Sequence, residues 1–262
     1  MYDFTYTKPG SLPDAVKALG AMDSKALAGG QTFIPVLKQR LNKPSSIVDL
    51  AALGLSGITA SADGIRIGAM TTHHMIATNA DIAARIPGLL YMAQHIGDTQ
   101  VRQRGTMGGS LANNDPSACY PAAVLALGAT IHTNSRTIHA DDYFKGMFTT
   151  ALEADELITA IAFPIPEKSA YTKFRNPASR YAMVGVFVAR GPAGVRVAIT
   201  GAGQDGVFRH TAMEQALAAN WSPDALRGIV TPSVGLNGDI HASPEYRAHL
   251  IGVMARRAVE AA

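Results

Sequence analysis

Two short segments constrain this chain more than anything else in it: Leu27-Ala28-Gly29-Gly30-Gln31-Thr32-Phe33-Ile34-Pro35 and Thr106-Met107-Gly108-Gly109-Ser110-Leu111-Ala112-Asn113-Asn114-Asp115-Pro116. Each sets a glycine pair beside small hydroxyl and amide side chains, after an apolar residue. Glycine allows left-handed backbone angles and leaves no Cβ in front of its N–H group. Successive free N–H groups form a concave nest that holds a phosphate without lysine or arginine. Either segment alone reads most simply as a turn. Together they fit a ligand with two phosphates gripped from two parts of one chain, which suggests a dinucleotide.

The pattern around them is mixed. Residues 11–22 read as a helix opened by Ser11 and Pro13, with Ala15, Val16 and Leu19 on one face. A strand at 25–28, a helix at 32–41 and a strand at 46–50 complete a β-α-β unit. Its glycine turn falls at a strand-to-helix junction, where helix N–H groups favour anions. A second unit starts with a hairpin, 58–60 and 65–67 about Ala62-Asp63-Gly64, and continues through helices near 72–79 and 81–96. The second glycine segment then leads to a helix at 121–127 and strands at 129–133 and 156–163. Pro164 and Pro166 mark a break. Beyond it lie strands at 171–175, 183–190 and 194–202, then helices near 211–219, 222–230 and 244–260. The expected fold is α+β in two domains, residues 1–165 (subdomains about 1–55 and 56–165) and residues 170–262.

Composition narrows the function classes. The net charge is +3 with no basic cluster, so a nucleic-acid footprint is missing. No run approaches the roughly 20 apolar residues of a membrane span. The start, Met1-Tyr2-Asp3-Phe4, lacks the basic and apolar regions of a signal peptide, so a cytoplasmic location is expected. Cys119 is the single cysteine, which rules out an intrachain disulfide and an iron–sulfur centre. The eight histidines form no Glu-x-x-His pattern, so no metal set is expected, and no Gly-x-Ser-x-Gly elbow supports a serine hydrolase. Charged residues make up 16%, a shortage in keeping with surface hidden in a complex or with a small-residue-rich composition.

The two glycine segments, in this order and spacing, resemble the FAD-binding medium subunit of molybdenum hydroxylases, the family of carbon monoxide dehydrogenase and xanthine dehydrogenase. The likeness covers nearly the whole chain, through Phe4-Thr5-Tyr6-Thr7-Lys8-Pro9, Ile67-Gly68-Ala69-Met70-Thr71-Thr72-His73, Glu156-Leu157-Ile158, Ala178-Ser179-Arg180-Tyr181-Ala182 and Tyr246-Arg247. It implies a two-subdomain FAD-binding domain of the molybdenum-hydroxylase flavoprotein type, followed by a small α+β C-terminal domain. It also implies partners: a large molybdopterin subunit and a small subunit with two [2Fe-2S] clusters, assembled as a dimer of heterotrimers. Electrons would run from molybdenum through the clusters to FAD on this chain, then to an external acceptor. A self-sufficient FAD-dependent oxidoreductase of the same superfamily is the rival reading. It would need an acid or base near the flavin, and the sequence offers no clear candidate.

Carried over residue by residue, the resemblance assigns the FAD diphosphate to Ala28, Gly29, Gly30, Gln31 and Thr32, and to Thr106, Gly108, Gly109 and Ser110. Asn114 and Asp115 either reach the ribityl hydroxyls or serve locally, with helix capping the default for Asp115. Ile158 corresponds to an aliphatic residue packed on the isoalloxazine ring, or to strand core, or both. Tyr181 corresponds to a tyrosine near the ring and Lys173 is expected to approach the same region, the alternative for both being ordinary residues at a domain boundary. No catalytic side chain is required, since the redox chemistry belongs to the cofactor. Two departures stand out: Met107 replaces the usual Ile or Val, and Cys119 replaces a common acidic residue, removing one strong acceptor.

Overall fold

The computed structural model describes residues 1–262, and its first element is a small parallel sheet. Strand β1 (Thr5–Thr7) leads to helix α1 (Leu12–Leu19), strand β2 (Ser24–Leu27), helix α2 (Phe33–Lys38) and strand β3 (Ser46–Asp49). The strand order is β1-β3-β2, with Thr5 and Ser24 both paired to Ser46. Ser11 caps α1 by accepting from the Asp14 N–H at 3.3 Å. Both helices are shorter than expected. The chain turns off at Gly20, and past α2 Arg40 takes φ 59°, a left-handed angle no helix continues through. Ala15, Leu19, Val48 and Leu50 form the core of this unit, joined by Leu157 from far along the chain.

The second unit contains strands β4 (Ile58–Ala60) and β5 (Gly64–Gly68), then six helices: α3 (His73–Ala77), α4 (Ala80–Arg85), α5 (Pro87–Gln94), α6 (Thr99–Arg104), α7 (Met107–Asn113) and α8 (Tyr120–Ala126). Strands β6 (Thr130–Thr133) and β7 (Thr137–His139), helix α9 (Ala140–Tyr143), the ribbon β8 (Phe144–Gly146) and β9 (Thr149–Thr150), and strand β10 (Ile158–Pro164) complete it. Its sheet runs β4-β5-β10-β6-β7, with β10 antiparallel to both neighbours. Where two helices were expected over 72–96 there are three. Asn79 accepts from the Ile82 N–H at 2.9 Å and starts α4 afresh, and Pro87 starts α5. Helices α6 and α7 were not anticipated. Asp98 caps the first at 2.8 Å and Thr106 the second at 3.2 Å, so the second glycine pair lies inside the first turn of a helix rather than in a loop before one.

The last part is a four-stranded antiparallel sheet of β11 (Lys168–Arg175), β12 (Ala182–Gly191), β13 (Gly194–Thr200) and β14 (Phe208–Arg209), with helices α10 (Thr211–Ala219) and α11 (Pro244–Ala261). Strand alternation splits β12 between two cores. Val184, Val186 and Val188 pack with Leu250, Ile251 and Met254 of α11. Phe187 and Ala189, on the opposite face, join Tyr171 and the residues of α5 and α8. The helix expected at 222–230 shrinks to a single 3₁₀ turn, Pro223–Leu226, because Arg227 takes extended backbone angles and Gly228 follows at φ 78°. The α+β architecture is as expected. No helix is long and apolar enough to cross a membrane.

Candidate functional site

The two glycine segments meet. A Cβ on Gly29 would collide with the Arg104 carbonyl oxygen and lie 2.9 Å from the Gly105 Cα, so the first turn rests directly on the backbone ahead of the second segment. A Cβ on Gly109 would lie 3.3 Å from that of Ala28. Gly30 takes φ 73°, which L side chains rarely adopt. The close approach therefore needs glycine at position 29 above all.

The two segments differ in what they offer an anion. The N–H groups of Gly29, Gly30, Gln31 and Thr32 donate to no acceptor within the protein, and Gln31 and Thr32 are exposed. This is the free nest the sequence suggested. The second segment is different. Met107 N–H donates to the Thr71 carbonyl at 3.1 Å, Gly108 N–H to Ala69 at 2.9 Å and Ser110 N–H to Thr106 at 3.1 Å. Gly109 N–H goes to the Thr106 hydroxyl. Its glycines therefore supply close packing: a Cβ on Gly108 would press on Ala69 at 2.6 Å. Thr106, which caps the helix, is buried, and Ser110 remains partly exposed.

Most of the other candidates gather where the α7–α8 connection meets the C-terminal sheet. Lys173 on β11 donates to the carbonyls of His95 at 2.7 Å and Arg180 at 3.1 Å, and its Nζ lies 3.6 Å from Cys119 Sγ. Tyr181 is 50% exposed. Burial raises its phenol pKa, and nearby Asp115 and Cys119 add to the rise. The Tyr181 loop is braced by buried Asn176, whose side chain accepts from the Ala178 and Ser179 N–H groups at 2.9 and 3.1 Å. Thr200, which no sequence pattern flagged, donates to the Pro116 and Ala118 carbonyls, positioning the segment that carries Asp115 and Cys119.

Three candidates serve locally. Asp115 does not cap a helix; its carboxylate accepts from the Ser117 N–H at 2.8 Å in an Asx turn. Asn114 ends α7 at φ 41° and donates to the Gly146 and Thr149 carbonyls, clamping the β8–β9 ribbon. Ile158 is buried in the central core at an irregularity in the β10–β6 pairing. His73, overlooked as a neighbour of the glycines, is buried against Gly105 and tilted against Tyr120 with ring centroids 5.2 Å apart. Burial, with a contribution from Arg102, lowers its pKa to about 4, so the imidazole is neutral at pH 7.

Glu156 fixes the approach to Ile158. Its carboxylate takes hydrogen bonds from Arg136 at 2.9 and 2.8 Å, Thr133, Ser135 and the Glu153 N–H. Arg136 is the main cause of its pKa falling from 4.5 to about 2. A depressed carboxylate stabilises the fold above its unfolded pKa and loses that contribution as pH falls through the folded value. Glu156→Gln is expected to cost about 2 kcal/mol near neutrality, from several charge-assisted bonds weakened together. The gap in Tm between the two proteins should close as pH drops from 4.5 toward about 2. A gap that stays constant over that window would show that the charge contributes nothing.

Residues 2–166 match the family described as FAD binding domain in molybdopterin dehydrogenase. The chain belongs to this family. It is 35% identical to the nicotine 6-hydroxylase medium subunit of Paenarthrobacter nicotinovorans, over 97% of this chain and 95% of that one. It is 34% identical to the carbon monoxide dehydrogenase medium chain of Afipia carboxidovorans, over 99% and 96%. Among solved structures, reconstituted CO dehydrogenase from Oligotropha carboxidovorans matches with a TM-score of 0.90 at 33% identity, covering 99% of this chain and 97% of that one. Quinoline 2-oxidoreductase from Pseudomonas putida 86 matches at 0.88 and 30%, covering 100% and 97%. This is an FAD-binding medium subunit of the molybdenum-hydroxylase type, and its residues fit that cofactor. Four adjacent N–H groups stand free at a turn whose glycines leave backbone bare, as a diphosphate requires.

Proposed function

We propose that this chain is the electron-transfer subunit of a molybdenum hydroxylase, working with a large molybdopterin subunit and a small iron–sulfur subunit in a dimer of heterotrimers in the cytoplasm. FAD held here supplies the redox chemistry that takes electrons from two [2Fe-2S] clusters of the small subunit and passes them to an external acceptor. The observation that carries this reading is the contact of the first glycine turn with the Arg104–Gly105 backbone, directly ahead of the second segment, beside a row of unpaired N–H groups.

On this reading the N–H groups of Gly29, Gly30, Gln31 and Thr32 hold the diphosphate. Ala28, Thr106, Gly108, Gly109 and Ser110 shape the wall against which it lies. Asp115, Ile158, Lys173 and Tyr181 border the remainder of the cofactor, and Asn114 acts through the end of α7. Residues 1–165 form the binding unit, and residues 170–262 cover it through the Lys173–Tyr181 face. None of these side chains transfers a proton to a substrate.

The cofactor is expected to be noncovalent, so acid precipitation of the complex should release FAD into the supernatant. Flavin retained in the pellet would sink that part of the reading. The subunit alone, offered substrate and an electron acceptor, should show no turnover, and adding the two partner subunits should restore it. Turnover by the isolated chain at the rate of the complex would favour a self-sufficient flavin-dependent oxidoreductase instead.

A further inference from the structure

Cys119 is the chain's single cysteine. It is buried at the start of α8, and its sulfur lies 3.6 Å from the primary amine of Lys173 on β11. The amine cannot drift far, because the carbonyls of His95 and Arg180 hold it at 2.7 and 3.1 Å. Two buried phenols belong to the same core as the sulfur. The hydroxyls of Tyr120 and Tyr171 have no hydrogen-bond partner, and both phenols are pushed up chiefly by burial, with nearby Cys119 adding to the rise. A thiol and a tethered amine thus stand in contact at the edge of a core that also holds two unpartnered hydroxyls.

We propose that Cys119 and Lys173 are a peroxide-responsive pair that closes into a covalent sulfur–nitrogen bond. In the first step the Cys119 sulfur attacks hydrogen peroxide and the O–O bond breaks. The sulfur loses two electrons to become a sulfenic acid, and the departing oxygen leaves as water. In the second step the Lys173 nitrogen attacks the sulfenic sulfur, the S–O bond breaks, and a second water leaves with a proton from the amine. One thiol, one amine and one peroxide give one sulfenamide and two waters. The sum is the same whether the shared proton starts on sulfur or on nitrogen.

Sulfenic acids are commonly resolved by a second thiol or by a backbone nitrogen, and a side-chain amine in contact with the sulfur can make the same bond. This chain has no second thiol, which leaves the amine in contact with the sulfur as the resolving group. The bond would staple the α7–α8 segment to β11 at the junction that positions Tyr181. It goes beyond the flavin reading and stands whether or not that reading holds.

The test is to treat the purified full chain with hydrogen peroxide and measure its mass. Most chains should become lighter by two hydrogen atoms, and a digest should contain one cross-linked peptide joining Cys119 to Lys173. Dithiothreitol should reverse both changes. Lys173→Arg, which keeps the charge but not the nucleophile, should instead carry oxygen on Cys119 with no link, and Cys119→Ser should not change mass at this site. Three results would overturn the proposal: oxygen accumulating on wild-type Cys119 without a link, an unmodified Cys119, or the same loss of hydrogens in Lys173→Arg. The last would assign the bond to a backbone nitrogen. Because the wild-type measurement stands alone, a variant that fails to fold leaves the proposal open to refutation.

Discussion

Gly29→Ala is expected to leave the protein folded but to strip most of its flavin. The added methyl is the smallest side chain available, yet it has no room. Its carbon would collide with the Arg104 carbonyl oxygen and lie 2.8 Å from that carbonyl's carbon. Both obstacles are backbone, so no rotamer change can relieve them, and the first turn must lift off the second segment. Forcing such overpacking costs about 1–3 kcal/mol. Because the strained contact is the binding wall itself, that cost should appear mainly in cofactor affinity, a weakening of roughly 10- to 100-fold. Gly10→Ala is the control, since nothing lies within 4 Å of a Cβ there. Flavin content per chain, read from the visible spectrum after gel filtration, decides the matter. Full occupancy in Gly29→Ala would remove the first glycine turn from the site.

How much of this was readable beforehand depends on the range of the interaction. Local signals were reliable. Ser11 and Pro13 announced α1, and the hairpin about Asp63 and Gly64 pairs Ile58 with Ile67. The glycine segments announced a close approach, although only the first keeps its N–H groups free. The second is spent on Thr71 and Ala69, which lie more than thirty residues back along the chain. No pattern within Thr106–Ser110 could reveal those acceptors. Helix α7 stayed hidden for a related reason: two glycines are poor helix formers, and the capping threonine outweighs them only once tertiary contacts form.

The far side of the site was legible through resemblance alone. Lys173, Cys119 and Tyr181 share no local pattern; they meet because Thr200 and Gly201 hold the Pro116–Ala118 carbonyls against the end of β13. Cys119 looked in sequence like the loss of an acceptor. In the structure it is the partner of a lysine, a contact visible only after β11 has been placed beside α8.

The largest stability loss is expected at Arg247, where Arg247→Met should lower Tm with a smaller effect on the cofactor. The guanidinium is 3% exposed and donates to the carbonyls of Met183 and Gly201 at 2.5 and 3.0 Å, and to Asp239 at 2.6 Å. Methionine fills similar volume and meets none of these acceptors. Two buried carbonyls and a carboxylate would lose their donor, a cost of about 3 kcal/mol. For a chain of this size that corresponds to roughly 6–12 °C in Tm. The loss should also depend on pH. Burial pushes the Asp239 carboxyl up, but N–H groups of His241 and Ala242 and the Arg247 charge together hold it below its usual 3.8. A depressed acid stabilises the fold above its unfolded pKa and loses that contribution in acid, so the deficit should narrow below pH 3.8. Arg247 touches the start of β12 and the end of β13, not the glycine turns, so at temperatures well below its melt the variant should retain more flavin than Gly29→Ala. A Tm within about 2 °C of wild type would mean that water replaces the guanidinium without loss. Flavin loss as deep as in the glycine variant would place Arg247 in the cofactor's own support.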